Sequence, residues 1–280
     1  MNSQPSSAAS SSSAQPEKKP AGNPMKAILA LPILRPIATF AAILVIWELS
    51  TIVFEIPSFL LPAPTRILTG FDAVEFSRWI EHIWATLRVA LYGYITAIVI
   101  ALPLAIVLSR SKVVSDCLYP LLVVIQSTPV VAVAPIIIVV LGSGDAPRIV
   151  ITFLITFFPL VVSMTTGLMA TPPELIELSR SLRAPVSREL SQIRIPYAIP
   201  YIFSGLKISI TLSIIGAVVA EFVAAEKGIG YFIQFSTSYF KIPQAWAGLF
   251  LLVLISLLLF QIISAIQKQF FPWSLPKDNN

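Results

Sequence analysis

The sequence predicts an all-α polytopic membrane protein with six transmembrane helices. Of its 280 residues, 56% are hydrophobic and only 12% are charged, and the mean hydropathy is +0.85. Such a composition is too apolar for a protein that is surrounded by water. Six segments are also long enough to cross a bilayer core of about 30 Å as helices of about 20 residues. These segments are residues 37–54, 87–108, 118–141, 149–168, 202–220 and 246–266.

Basic residues are distributed unevenly between the two sides of these segments. Twelve flank one side, namely Lys18, Lys19, Lys26, Arg35, Arg110, Lys112, Arg180, Arg183, Arg188, Arg194, Lys268 and Lys277. Six flank the other side, namely Arg66, Arg78, Arg88, Arg148, Lys227 and Lys241. Because cytoplasmic loops carry the excess of Lys and Arg, both termini are predicted to face the cytoplasm.

The spans divide the chain into four parts. Residues 1–30 are predicted to be a disordered cytoplasmic tail, because residues 1–24 have almost no large apolar side chain. Residues 31–84 would contain the first transmembrane helix and an outer connection. Trp79 and Trp84 suit an amphipathic segment at the membrane interface, and an ordinary surface loop explains them equally well. Residues 85–270 would form a core of five transmembrane helices, and residues 271–280 a second cytoplasmic tail.

Several classes of function are disfavoured by the composition. Cys117 is the only cysteine and His82 the only histidine, so neither a disulfide framework nor a Cys or His metal cluster is expected. The net charge of +5 is scattered between apolar runs, which argues against nucleic-acid binding. None of the 11 glycines precedes a lysine, so the phosphate-binding loop of an ATPase is absent from the sequence. No cofactor is expected, and any ATP hydrolysis must come from another subunit.

The connection at residues 171–201 is the most informative part of the chain. Thr171, Pro172 and Glu174 have the spacing of a capping box and predict the start of a helix. A turn is expected at Ala184-Pro185, and Pro196 and Pro200 are expected to break the second segment. Each piece is shorter than the roughly 12 to 15 residues that an isolated helix needs. The pieces must therefore pack against the protein's own bundle or against a cytosolic partner.

The third predicted span contains three neighbouring polar residues beside a proline, Gln126, Ser127 and Thr128 before Pro129. Their side chains could satisfy the carbonyl groups of a kinked helix locally. They could equally line a hydrated translocation path, where irregular backbone is tolerated at membrane depth.

Ionisable residues and glycines mark the outer ends of two spans. Glu48 is interpreted as interfacial, whereas Glu221 is either interfacial or part of an outer gate on the translocation path. The nearby segment from Gly228 to Tyr231, with glycine at 228 and 230, predicts a turn or a close approach of the backbone.

The connection also carries a resemblance to a known family. The stretch ELSRSLRAP, which begins at Glu177, followed by IRIP ending at Pro196, resembles the EAA loop of binding-protein-dependent ABC importer permeases of type I. The stretches QSTPVVAVAPIIIVVLGSG, FFPLVVSMTTGL and GLKISITLSIIGAVVAEFVAAEKGIGYFI extend the resemblance to roughly residues 55–274. They are most similar to the branch for nitrate, sulfonate, taurine, bicarbonate and pyrimidine-like solutes.

This resemblance implies a permease subunit of the bacterial inner membrane that translocates a small solute. Implied partners are a cytosolic dimer of ABC ATPase subunits, an extracytoplasmic solute-binding protein, membrane lipid and a second copy of the permease. It also implies that the connection docks the ATPase through Glu177, Leu178, Ser179, Leu182, Arg183, Ala184 and Pro196. A pyrimidine thiamine precursor or a flavin is the favoured solute, and sulfonate, taurine, nitrate or bicarbonate remain open. A secondary transporter is the weaker alternative, because no repeated halves are evident.

The chain departs from the family pattern inside this motif. Leu178 and Ser179 stand where the family usually has two small residues, and Arg183 stands where it has a glycine. The loss of that glycine removes a left-handed backbone option. The turn is therefore expected at Ala184-Pro185 instead.

Overall fold

The structure, a computed structural model, describes residues 34–275. The predicted tail at residues 1–30 lies outside the described residues, as do residues 276–280 of the predicted C-terminal tail. The described part forms eleven α-helices: α1 Leu34–Val53, α2 Pro64–Asp72, α3 Phe76–Arg110, α4 Lys112–Ser127, α5 Val130–Leu141, α6 Asp145–Met169, α7 Pro173–Ser181, α8 Val186–Glu189, α9 Ile195–Ala224, α10 Ile229–Ser238 and α11 Ile242–Phe270.

The prediction of an all-α polytopic membrane protein is confirmed. Five stretches of helix in the described region are long and apolar enough to cross a membrane. They are Pro36–Val53, Phe76–Arg110, Asp145–Met169, Val186–Ala224 and Ile242–Phe270. The pair α4 and α5 makes a sixth if its two members are counted as one bent span.

The third predicted span is not one continuous helix. α4 ends at Ser127, α5 begins at Val130, and the two helices are bent by 91°. Thr128 adopts an extended backbone with φ −76° and ψ 123°, because the residue before a proline is excluded from the helical region. Pro129 therefore breaks the helix, where a kink was expected.

The core lies where α3, α6 and α9 cross. α3 contributes a stripe of fully buried alanines at positions 97, 101 and 105, and α6 contributes Leu160, Val161, Met164 and Leu168. Gly93 of α3 and Gly216 of α9 both face Thr152 of α6, so closely that a Cβ at either glycine would overlap that residue. Small residues at these crossings allow close packing of membrane helices.

The outer connection after α1 is a packed layer. α2 rests on α11, because Gly70 lies against the backbone carbonyl group of Pro243. Trp79 is buried and contacts the rings of Phe71 and Phe232, whereas Trp84 is 64% exposed. Of the two tryptophans that suggested an interfacial segment, Trp79 is thus a core residue and Trp84 remains exposed.

One helical rod runs from Val186 to Ala224. The expected break at Pro196 and Pro200 is wrong, because α8 continues through a π-helix, Leu190–Arg194, directly into α9. In that segment the Ile195 amide donates to the Leu190 carbonyl group five residues back. This wider turn makes room for the Pro196 ring, which would crowd the carbonyl group four residues earlier in a regular helix.

The last described residues, after α11, fold back onto the bundle. Pro272–Ser274 forms a 3-10 turn after α11. The Gln267 side-chain amide donates to the hydroxyl group of buried Ser274 over 2.9 Å, and the Phe271 ring packs on Phe203 of α9. The first residues of the predicted C-terminal tail are therefore structured.

Candidate functional site

The first candidate site is the connection between α6 and α9, here called the coupling segment, residues 171–201. Its helix α7 has two different faces. Ile176 and Ser179, three residues apart, are 8% and 4% exposed and attach the helix to the rest of the protein. On another face, Leu175, Leu178 and Leu182 are 39%, 56% and 73% exposed. Three exposed leucines at helical spacing form an apolar ridge that this chain leaves uncovered.

The start of α7 differs from the expected capping box. Pro172 occupies the N-cap position and no side chain caps the helix. The Thr171 hydroxyl group instead donates backwards to the Leu168 carbonyl group at the end of α6, over 3.3 Å. The threonine therefore ties α7 to the preceding span.

The end of α7 corrects the expected position of the turn. Arg183 itself adopts the left-handed conformation, with φ +51°. Its amide donates to the Arg180 carbonyl group over 2.9 Å, and the Ala184 amide donates to the Ser179 carbonyl group over 3.0 Å. This pair of bonds is a Schellman motif, which normally places glycine at the left-handed position. The turn survives the loss of glycine because these backbone bonds hold the arginine in place.

The other residues predicted for docking are divided between the two faces. Glu177 and Arg183 are exposed, Ser179 is buried, and Ala184 and Pro196 are half-buried. Further along the segment, Arg194 forms an ion pair with Glu189 over 2.7 Å, and both side chains are 15% exposed. The ion pair spans the π-helix and stiffens the entry into α9.

The bend between α4 and α5 exposes the three polar residues predicted for the translocation path. Gln126, Ser127 and Thr128 are all exposed in the single chain. The Ser127 hydroxyl group donates to the Val123 carbonyl group over 2.8 Å, and the Thr128 hydroxyl group to Val124 over 3.1 Å. These two hydroxyl groups satisfy carbonyl groups at the broken helix end. Gln126 presents its amide outward.

The second candidate site lies at the other end of α9. Glu221 is 1% exposed, and its Oε2 accepts a hydrogen bond from the Gly230 amide over 2.7 Å. Gly228 has φ +127°, and a Cβ at Gly228 or Gly230 would overlap the Glu221 side chain. The glycines thus provide both the turn and the close approach that the sequence predicts.

Two side chains of α3 complete this site. His82 Nδ1 accepts from the Gly228 amide over 3.1 Å, and the Thr86 hydroxyl oxygen accepts from the Ile229 amide over 2.8 Å. We use the name outer joint for His82, Thr86 and Glu221 together with the backbone amides of residues 228–230, which donate hydrogen bonds to them. His82 and Thr86 were missed by sequence reasoning. Their spacing of four residues at the start of a span was the available signal, but nothing pointed to their partners about 140 residues away.

Charged residues surround the outer joint. Asp145 at the start of α6 pairs with Arg88 and, over 2.7 Å, with Arg148. Lys227 pairs with Glu81 on the exposed side. Among the described residues, no group of three His, Cys, Asp or Glu side chains could hold a metal ion.

Comparison with known proteins identifies the family. Residues 93–274 match the family model for the binding-protein-dependent transport system inner membrane component. The chain belongs to this family. The resemblance read from the coupling segment and its flanking spans is thereby confirmed, and the protein is a transmembrane transport permease of the ABC type.

Similar proteins cover nearly the whole permease. It is 32% identical over 240 residues to the formylaminopyrimidine transport permease protein ThiX of Halalkalibacterium halodurans, covering 86% of this chain and 96% of that protein. It is 32% identical over 246 residues to the riboflavin transport system permease protein RibX of Chloroflexus aurantiacus, covering 88% and 90%. It is 28% identical over 275 residues to the nitrate import permease protein NrtB of Synechocystis, covering 95% and 98%.

A solved structure supports the fold. The permease matches a chain of the inward-facing MetNI methionine ABC transporter with a TM-score of 0.61 at 20% identity, covering 69% of this chain and 96% of that chain. The predicted fold of a type I importer permease is confirmed.

Proposed function

We propose that this permease translocates a small solute and takes its energy from a separate cytosolic ABC ATPase, which docks on the coupling segment. The observation that carries the proposal is the exposed ridge of Leu175, Leu178 and Leu182 on α7, which is 39% to 73% exposed. An apolar ridge on a short helix between two spans needs a partner, and a groove in another protein supplies one. Glu177 and Arg183 are exposed on the same segment and would make polar contacts with the ATPase.

A charge reversal at Glu177 tests the docking directly. Glu177→Lys should reduce co-purification of the ATPase subunit while leaving membrane insertion intact, because the side chain is exposed on the proposed docking segment. Glu55→Lys, the same reversal at an exposed residue beyond α1, is the matched control and should retain the ATPase. Equal recovery of the ATPase with both variants would remove Glu177 from the interface.

The orientation follows from the same proposal, with both termini and the coupling segment in the cytoplasm. The distribution of basic residues, twelve against six, supports it. A reporter fused after Asn280 should be active only in a form that functions in the cytoplasm, and one inserted near Asp72 only in a form that functions outside. The reverse pattern would refute this orientation.

The translocation path is proposed to lie between two copies of the permease, with Gln126, Ser127 and Thr128 along it and Glu221 at its outer gate. The exposure of the bend between α4 and α5 supports this placement. Single cysteines at residues 126–128, in a Cys117→Ser background, should react with a small water-soluble thiol reagent, and ATP trapping should change their reactivity. If all three stay unreactive in an active complex, these residues serve helix packing.

The cargo is proposed to be a pyrimidine or flavin compound delivered by an extracytoplasmic solute-binding protein. Support comes from two relatives at 32% identity, whose names specify formylaminopyrimidine and riboflavin. The nitrate permease, at 28%, represents the alternative of small anions. Stimulation of ATP hydrolysis in the reconstituted complex by a binding protein loaded with each compound distinguishes the two classes.

A further inference from the structure

Three consecutive backbone amides at the start of α10 each donate to a side chain of another helix. The amides of residues 228, 229 and 230 donate hydrogen bonds to the side chains of His82, Thr86 and Glu221, over 3.1, 2.8 and 2.7 Å respectively. The first amides of a helix have no partner within it and are usually capped by a neighbouring residue of the same chain segment. Here the N-cap residue is a glycine without a side chain. The hydrogen-bond acceptors for these amides therefore come from two other helices, α3 and α9.

The acceptors belong to two different spans. His82 and Thr86 belong to α3, and Glu221 belongs to α9. All three side chains are buried, with exposures of 6%, 0% and 1%. A buried donor that loses its partner costs about 1–3 kcal/mol. Tilting α10 away from either span would therefore break several buried bonds at once, and α10 is fixed to both.

The rod that carries Glu221 begins at the coupling segment. Helix continues from Val186 through the π-helix to Ala224, and the ion pair between Arg194 and Glu189 reinforces its first turns. The π-helix and the two prolines do not interrupt this stretch, so Val186 and Glu221 belong to one helical rod. Movement at Val186 would thus reach Glu221 directly.

We infer that the outer joint makes α10 follow α9, so that movement of the coupling segment reaches the outer side of the permease. Glu221 acts in this scheme as a positioning residue, through the Gly230 amide. The inference rests on the proposed function, because it takes the coupling segment to be the part that moves.

Amide hydrogen exchange on the full-length permease tests the joint itself. Glu221→Ala and Thr86→Ala should increase exchange of the amides of residues 228–230 about tenfold, because each variant leaves a buried donor without its acceptor. Thr86→Ser keeps the hydroxyl group and should stay close to the unsubstituted permease. Ser236→Ala is the matched control, because Ser236 is fully buried on the same helix α10 but takes no part in the joint.

Transmission of movement from the coupling segment to α10 is tested by labelling two positions of the permease in its complex with the ATPase subunit. Single cysteines replace Gln192 in the π-helix or Ser238 at the end of α10, both of which are exposed, in a Cys117→Ser background. Their labelling rates are compared with and without ATP and vanadate. With the joint intact, trapping should change both rates by threefold or more. In Glu221→Ala, which removes the bond between α9 and α10, the change at residue 192 should persist and the change at residue 238 should fall by at least half.

The possible results separate this inference from the proposed function. A response at residue 192 combined with an undiminished response at residue 238 in Glu221→Ala overturns the inference alone. The inference alone is also overturned if trapping changes the labelling rate at residue 192 but not at residue 238 in the intact complex. If neither position responds in the intact complex, the coupling function is wrong and the inference falls with it.

Discussion

The two short helices that flank the rod from Val186 to Ala224, α7 and α10, are held in opposite ways. α7, in the coupling segment, buries Ile176 and Ser179 but leaves Leu178 and Leu182 more than half exposed. At the outer joint, the backbone amides at the start of α10 donate hydrogen bonds to buried side chains of α3 and α9. The connection with α7 leaves apolar surface uncovered, and the connection with α10 satisfies buried polar groups within the chain.

This difference indicates what each end depends on. Because the apolar surface of α7 has no partner within the described chain, we expect it to be stabilised in an assembled complex. Buried hydrogen bonds contribute to the folding of the permease itself, because breaking them costs the desolvation of each group. Substitutions at the outer end should therefore affect folding, and substitutions at the inner end should affect assembly.

The largest expected effect is on the outer side. Gly228→Ala should destabilise the permease by about 3 kcal/mol or more, from a backbone conformation open essentially to glycine and from overlap with the buried Glu221. Gly142→Ala is the matched control, because Gly142 also has a positive φ of +80° but has no atoms near its Cβ position. It should cost only about 1–3 kcal/mol, for the backbone strain alone. Thermal unfolding of both variants in nanodiscs gives the comparison, and equal losses would mean that the close approach of Glu221 is unimportant.

On the inner side, Leu178→Asp should change assembly without changing folding. Because Leu178 is 56% exposed, thermal unfolding of the isolated permease should shift by no more than about 0.5 kcal/mol. Association with the ATPase should weaken by about 30-fold, as for the loss of about 2 kcal/mol at an apolar anchor of an interface. Ile176→Asp, on the buried face of the same helix, should instead destabilise the permease itself. Unfolding curves and titration with the ATPase subunit measure the two effects, and a folding defect in Leu178→Asp would show that the leucine ridge is covered by the chain itself.

The sequence was sufficient for the features that depend on local composition. Hydropathy over windows of about 20 residues predicts the spans, and the motif from Glu177 to Pro196 indicates the family. The outer joint could not be predicted, because His82 and Thr86 meet their amide partners across about 140 residues of chain. Only the packing of α3 on α9 brings these groups together, and hydrophobic periodicity does not encode such pairing.

Two errors arose where local backbone hydrogen bonding overrides the preference of a single residue. Pro196 was expected to break the helix, but the π-helix from Leu190 to Arg194 absorbs its ring. Arg183 was expected to avoid the left-handed region, yet it occupies that region with φ +51°. Propensity describes the isolated chain, and a few kcal/mol from surrounding contacts is enough to reverse it.

The smallest expected effect concerns the turn that ends the coupling helix. A residue other than glycine costs roughly 1–2 kcal/mol in the left-handed conformation, so Arg183→Gly should relieve strain that Arg183→Ala retains. Both variants remove the same charge, which makes them a matched pair. The Ala184 amide, which donates to the Ser179 carbonyl group over 3.0 Å, reports on this turn. Its hydrogen exchange should be about fivefold slower in Arg183→Gly than in Arg183→Ala, as expected for about 1 kcal/mol.

The same pair separates backbone from charge at the proposed interface. If the guanidinium group contacts the ATPase, both variants should weaken association equally, whatever the strain in the turn. If the arginine matters only through the shape of the turn, Arg183→Gly should bind at least as well as the unsubstituted permease, and Arg183→Ala slightly less well. Identical amide exchange in the two variants would show that the Schellman bonds alone fix the turn, because the left-handed position would then carry no measurable strain.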